Sequence, residues 1–249
     1  MEPTAAIPLI VVMPAYNEEG CIARVCGAWL DVARRHGGRL LVVNDGSRDA
    51  TGAILDGLAR TEPLLTVTHQ PNRGHGPALM TAYRQALAAP VQYVFHVDSD
   101  DQFDPADFEA LWDRRSGSKF LLGHRAARQD DAARFVITRA LRLLVLLGFG
   151  ARVPDANVPF RLMDADYLRR LVAHVPASAF APNVLLSVLA AADGQDLMNV
   201  PVTHRRRRTG TVSIIRWRLV AACLASARDL AVLRLRTPAM LRALHSADA

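Results

Sequence analysis

The chain has 249 residues, 51% of them apolar, which excludes global disorder and is enough for one large domain or two small ones. Its net charge of +6 comes from arginine, since Lys119 is the single lysine, and arginine's fork suits an anionic partner. Three cysteines (Cys21, Cys26, Cys223) have no metal-type spacing and an odd count, which fits a reducing compartment rather than a disulfide scaffold.

In chain order, apolar runs at Leu9–Met13, Leu40–Val43, Leu64–Thr68 and Val91–Val97 predict strands. Helices are expected between them, near Glu18–Arg35, Ala50–Arg60 and Gly76–Ala89. This repeat implies a mostly parallel sheet with right-handed crossovers. The second half is less regular. A strand at Phe120–Gly123, an apolar helix at Ala132–Leu147, helices at Ala165–Val175 and Pro182–Ala192, a strand at Leu197–His204 and a long helix at Ile214–Arg236 are expected. Ile7 to Met13 is too short for the apolar region of a signal peptide, and no membrane span is expected.

Ligands of such sheets bind beyond the carboxyl ends of the strands. Each early strand here is followed at once by polar or glycine residues: Pro14-Ala15-Tyr16-Asn17-Glu18, Asn44-Asp45-Gly46-Ser47, Asn72-Arg73-Gly74-His75-Gly76 and Asp98-Ser99-Asp100. Four loops converging on one sheet edge make a site. In the last of them, Asp98 and Asp100 reach toward one point and repel each other unless a divalent cation lies between them. Oxygen donors of this kind suit Mg²⁺ or Mn²⁺. Asp104-Pro105 with Asp107 reads instead as a helix start, with an N-cap, a proline at the first helical position and an acid in the first turn.

These four motifs, in this order and at these intervals, resemble family 2 glycosyltransferases of the GT-A fold, and among them the dolichol- or polyprenyl-phosphate sugar transferases. The resemblance covers roughly residues 8 to 213. It implies an α/β, GT-A (nucleotide-diphospho-sugar transferase) fold over 1–213, with a mostly parallel sheet flanked by helices and a C-terminal helical extension over 214–249. It further implies an inverting transfer of sugar from a nucleoside-diphosphate-sugar donor (GDP-mannose or a UDP-sugar) to a polyprenyl phosphate. By the same resemblance Pro14, Tyr16 and Glu18 hold the nucleotide, Asp45 recognises the base edge, and Arg73 adds charge near the diphosphate. Asp98, Asp100 and Gln102 hold the cation. Structural roles compete at several of these positions. Glu18 is also a first-turn helix acid, Asp45 a turn former before Gly46, and the glycines a plain loop-to-helix turn.

On the acceptor side the resemblance implies that Arg125, Arg134 and Thr138 bind the acceptor phosphate; the last two are four apart on one helix face. These arginines also suit surface ion pairs with Asp130 and Asp131. A phosphate nucleophile is ionised at neutral pH and needs no general base, whereas a hydroxyl acceptor does, and Asp155 is then the candidate. The arginine run with Arg207 and Arg208 corresponds to a loop that closes over donor phosphates, and it also reads as a solvated face. Asn199 stands where the family commonly has Glu, and Ser213 is followed by Ile214 rather than Lys.

A polyprenyl acceptor implies a membrane surface, so a cytoplasmic protein peripheral on the cytoplasmic membrane face is expected. Leu141–Leu147, and Leu219–Ala227 between arginines, suit either an interfacial helix or packing on the core or in a homo-oligomer. Two other readings stand beside this one: transfer to a saccharide or small-molecule hydroxyl, and a non-catalytic nucleotide-sugar-binding or scaffold protein. A nucleic-acid-binding module predicts aromatics interleaved with the basic residues; Trp217 alone does not supply them, and no nucleic-acid partner is expected.

Overall fold

A computed structural model describes residues 6–125, 153, 155–195, 197–205 and 228–234. The first half alternates strand and helix as the periodicity requires: β1 (Ile7–Ala15), α1 (Ile22–Arg35), β2 (Arg39–Asn44), α2 (Thr51–Thr61), β3 (Leu65–His69), α3 (His75–Ala88) and β4 (Val91–Val97). There follow a 3₁₀ turn at Pro105–Asp107, the short α4 (Phe108–Trp112), β5 (Phe120–Arg125), β6 (Phe160–Asp164), α5 (Ala165–Val172), α6 (Pro182–Ala192) and β7 (Leu197–Val202). Residues 228–234 form a helix, α7. Its Leu230 and Leu233 are buried, and the Asp229 carboxylate accepts from the Phe180 amide at 3.2 Å. The expected helix at Ala132–Leu147 and the stretch Leu219–Ala227 lie outside the described residues.

The seven strands run in the order β3-β2-β1-β4-β6-β5-β7. β1, β2, β3 and β4 are parallel neighbours, and β7 is parallel to β5. β6 is antiparallel to both β4 and β5. The central strands are buried on both faces, so they read as continuous apolar runs rather than alternating ones. Among the described residues no helix is long and apolar enough to cross a membrane.

Two local departures have clear causes. Helix α1 starts at Ile22, not at Glu18, because Asn17 takes a left-handed conformation (φ 54°) and the Glu18 amide donates to Thr51 Oγ1 at 2.8 Å. Asparagine tolerates that conformation well. β6 is not expected from the sequence: it is five residues long, carries a buried arginine at its second position and shows no alternation. The expected cap is present: the Asp104 side chain accepts from the Ala106 amide, with Pro105 leading the turn.

The glycines of the third loop are structural. Gly74 takes φ 95° at the start of α3, a conformation L side chains avoid. Gly76 lies against the backbone of the segment before α6, and a Cβ there would stand 2.1 Å from the Ala179 carbonyl oxygen and 2.5 Å from that of Phe180. Backbone cannot swing aside like a flexible side chain. Gly76→Ala should therefore cost at least ~2 kcal/mol, or about 4–8 °C in Tm, by thermal unfolding.

Candidate active site

The loops after β1, β2, β4 and before α3 meet at one edge of the sheet, and side chain-to-backbone bonds lock them together. The Asn17 amide donates to Ser47 Oγ at 3.0 Å, and Asn17 Oδ1 accepts from the Arg48 amide at 2.8 Å. One step on, the Glu19 amide donates to Asp49 Oδ2 and the Ala50 amide donates to Glu19 Oε2. Asn44 Oδ1 accepts from the Ser47 amide and hydroxyl. The Cys21 thiol reaches across to the Ser99 carbonyl at 3.4 Å and to Glu18 Oε2 at 3.5 Å, linking the first loop to the fourth.

The expected donor-side residues fall on this edge. Tyr16 is exposed, Glu18 is buried, and Pro14 lies within β1. Asp45 is buried and wholly engaged with the third loop. Its Oδ1 accepts from the Arg73 amide at 3.0 Å and from Gln70 Nε2 at 2.7 Å, and its Oδ2 accepts from the Gly74 amide at 2.8 Å. Asp45 thus holds the backbone beside Arg73, whose side chain is exposed. Leaving those amides without their acceptor costs roughly 1–3 kcal/mol. Asp45→Ala should speed hydrogen exchange at Arg73 and Gly74 by about tenfold or more, with little change in the β-sheet core.

The fourth loop is held at both sides. Asp101, at φ 60°, pairs with Arg24 of α1 at 2.5 Å. Gln102 exchanges bonds with Arg205: the Arg205 amide donates to the Gln102 carbonyl at 2.7 Å, and Gln102 Nε2 donates to the Arg205 carbonyl at 3.0 Å. The Arg205 guanidinium also pairs with Asp104, and the Thr203 amide donates to Asp107 Oδ2 at 2.6 Å. The segment after β7 is thus seated on the carboxylate loop. Between these anchors Asp98, Asp100 and Gln102 stay partly exposed, and the Gln102 amide donates to Asp100 Oδ1 at 3.3 Å. Oxygen donors on one loop, partly open to solvent, fit a hard divalent cation.

Sequence reasoning gives no role to three residues around Asp98. His96 is fully buried on β4, with Nε2 3.4 Å from Asp98 Oδ1, and His75 at the start of α3 places Nε2 3.7 Å from the same oxygen. Burial pushes the His96 imidazole down to about 4, against the pull of Asp98, so it is neutral at pH 7. Arg161 of β6 is also fully buried. It donates to the Val158, Ala156 and Asn183 carbonyls and to Ser187 Oγ, and the carboxylates of Asp98 and Asp155 both act on its charge. Asp155 itself is buried. His96 on β4 lies two residues before Asp98, which follows the strand's end, and the period of a strand would turn both toward the same side. Arg125 closes β5; Arg134, Thr138, Arg207 and Arg208 lie outside the described residues.

Known proteins share this architecture. The chain is 26% identical over 215 residues to the undecaprenyl-phosphate 4-deoxy-4-formamido-L-arabinose transferase of Pseudomonas fluorescens, covering 84% of this chain and 61% of that one. It therefore spans less than two thirds of that relative's length. It is 24% identical over 210 residues to the polyprenol monophosphomannose synthase of Mycolicibacterium smegmatis, covering 81% and 78%. Among solved structures, it superposes on glucosyl-3-phosphoglycerate synthase from Mycobacterium tuberculosis, solved with Mn²⁺, UDP and glucosyl-3-phosphoglycerate. The TM-score is 0.64 at 18% identity, over 91% of this chain and 79% of that one. The fold is the GT-A fold. The model of the family "Glycosyl transferase family 2" matches residues 10–173, and the chain belongs to that family.

Proposed function

We propose that the chain transfers a sugar, with inversion, from a nucleoside-diphosphate-sugar to a polyprenyl phosphate at a membrane surface. One observation carries the reading: Glu18, Asp45, Asp98 and Asp100 are brought by three separate loops to one end of a GT-A sheet. The names of the polyprenyl-phosphate relatives support the acceptor class.

In this reading Tyr16 and Glu18 bind the nucleoside, and Asp45 shapes the loop that brings Arg73 beside the diphosphate. Asp98, Asp100 and Gln102 would hold Mg²⁺ or Mn²⁺, which supplies Lewis acidity toward a leaving diphosphate when bound. Arg125, Arg134 and Thr138 receive the acceptor phosphate. An acceptor phosphate arrives ionised, so no residue has to remove a proton from it. Arg207 and Arg208 follow in sequence the Arg205 that Gln102 and Asp104 anchor, and in this reading they belong to the loop that closes over the donor phosphates.

A second reading keeps the donor site and gives the sugar to a hydroxyl. The burial of Asp155 favours it, because a base needs a fixed position.

Donor binding tests the first requirement of both. Calorimetry with UDP- and GDP-sugars, with and without Mn²⁺, should give cation-dependent binding of one donor class. Absence of binding by any donor to the folded protein would sink the transferase reading. Transfer assays with polyprenyl phosphate in micelles, against small hydroxyl acceptors alone, then separate the two acceptors. Activity that needs no lipid and falls with Asp155→Asn selects the hydroxyl.

A further inference from the structure

Among the described residues, neither ring nitrogen of His96 makes a well-aligned hydrogen bond although the side chain is fully buried; the nearest charged group is Asp98, whose Oδ1 lies 3.4 Å from Nε2. Burying such a ring without a well-aligned hydrogen bond costs roughly 1–3 kcal/mol, so the arrangement calls for an explanation. One ring nitrogen each of His75 and His96 and an Asp98 oxygen lie within 4.8 Å of one another.

We propose that His75, His96 and Asp98 form a binding site for a zinc-class transition-metal cation, distinct in its donor set from the all-oxygen site of Asp98, Asp100 and Gln102. Two nitrogens and one carboxylate oxygen are the donors that favour Zn²⁺ or Co²⁺ over Mg²⁺. The spacing fits as well. Metal–ligand arms of about 2.1 Å at tetrahedral angles put neighbouring ligand atoms roughly 3.4 Å apart. The two measured edges are 3.4 Å from His96 and 3.7 Å from His75 to Asp98 Oδ1. The third edge closes by rotation of His75, the exposed member, whose side chain is 54% accessible. That leaves one coordination position for solvent on the His75 side. The Arg161 guanidinium works against a cation here, while the Asp98 carboxylate acts the other way.

The site does not depend on the donor reading. Asp98 belongs to both sets, but the histidines belong to one and Asp100 to the other. The test is Co²⁺ added to the chelator-treated full chain, read by visible absorption. One equivalent should give the intense bands of tetrahedral Co²⁺, displaced by Zn²⁺ and not by excess Mg²⁺. His75→Ala, at an exposed position, should weaken Co²⁺ binding by about tenfold or more, and His96→Gln should abolish the bands. Asp100→Asn should keep the bands even while it loses Mn²⁺-dependent donor binding, so failure of either idea is seen separately. Weak octahedral bands alone in the wild-type chain, or tetrahedral bands unchanged in folded His75→Ala, would overturn the site. His75→Ala leaves the core undisturbed, so it decides the matter even where His96→Gln fails to fold.

Discussion

Asp100→Asn should lower sugar transfer by about 10²–10⁴-fold, or roughly 3–5 kcal/mol of transition-state stabilisation, while leaving the fold intact. The substitution keeps one acceptor oxygen for the Gln102 amide and removes only the charge. Asp100 is partly exposed and lies past the end of β4, so stability should change by less than about 1 kcal/mol. Steady-state kinetics with saturating donor and cation, alongside thermal unfolding, check both halves. A variant that transfers at the wild-type rate would show that the carboxylate loop is not where the leaving diphosphate is neutralised.

Arg161→Met should be the most destabilising single change in the described chain. A buried ionic group in a good apolar replacement is often neutral, because its own desolvation cost is removed. Arg161 differs, since its partners are mostly main-chain carbonyls, of Ala156, Val158 and Asn183. They stay in place when the guanidinium leaves and lose their donors. We expect about 3–5 kcal/mol, which for a chain of this size is roughly 6–20 °C in Tm. The Asp155–Phe160 segment should loosen first, seen as faster hydrogen exchange at Val158, whose amide donates to the Asp155 carbonyl at 3.3 Å. Unchanged stability would mean that the segment is held by apolar packing, chiefly Val158 and Phe160.

The parallel half of the sheet is legible in the sequence because its signals are local. Apolar runs of strand length end in Asn-Asp-Gly, Asn-Arg-Gly or Asp-Ser-Asp, and helical stretches fill the intervals. The order of the loops then puts the carboxylates on one edge. What escapes a sequence reading depends on partners far away in the chain. β6 has an arginine near its start, and only its place between β4 and β5, with Asn183 and Ser187 beside it, lets that arginine be buried. Asp45 is legible as a site residue, but its grip on the amides of Arg73 and Gly74 depends on how the third loop folds back, 28 and 29 residues later. His96 carries a usable signal, a polar residue in a Val-rich strand two positions before Asp98, yet nothing local separates it from an ordinary strand residue.

The antiparallel β6 has a consequence for how the chain comes to be made. Residues 7–97 supply four parallel strands whose helices are already in hand, so they can assemble while the rest is still being synthesised. Until residues 160–164 emerge, β4 remains an open edge of that nascent sheet, with apolar residues at Val94, Phe95 and Val97. An unpaired, apolar strand edge invites pairing with another chain. More than sixty residues separate the end of β4 from the strand that covers it. The interval before β6 docks is therefore when a ribosome-bound chain is most exposed to aggregation, and a prematurely terminated product would carry that open edge permanently.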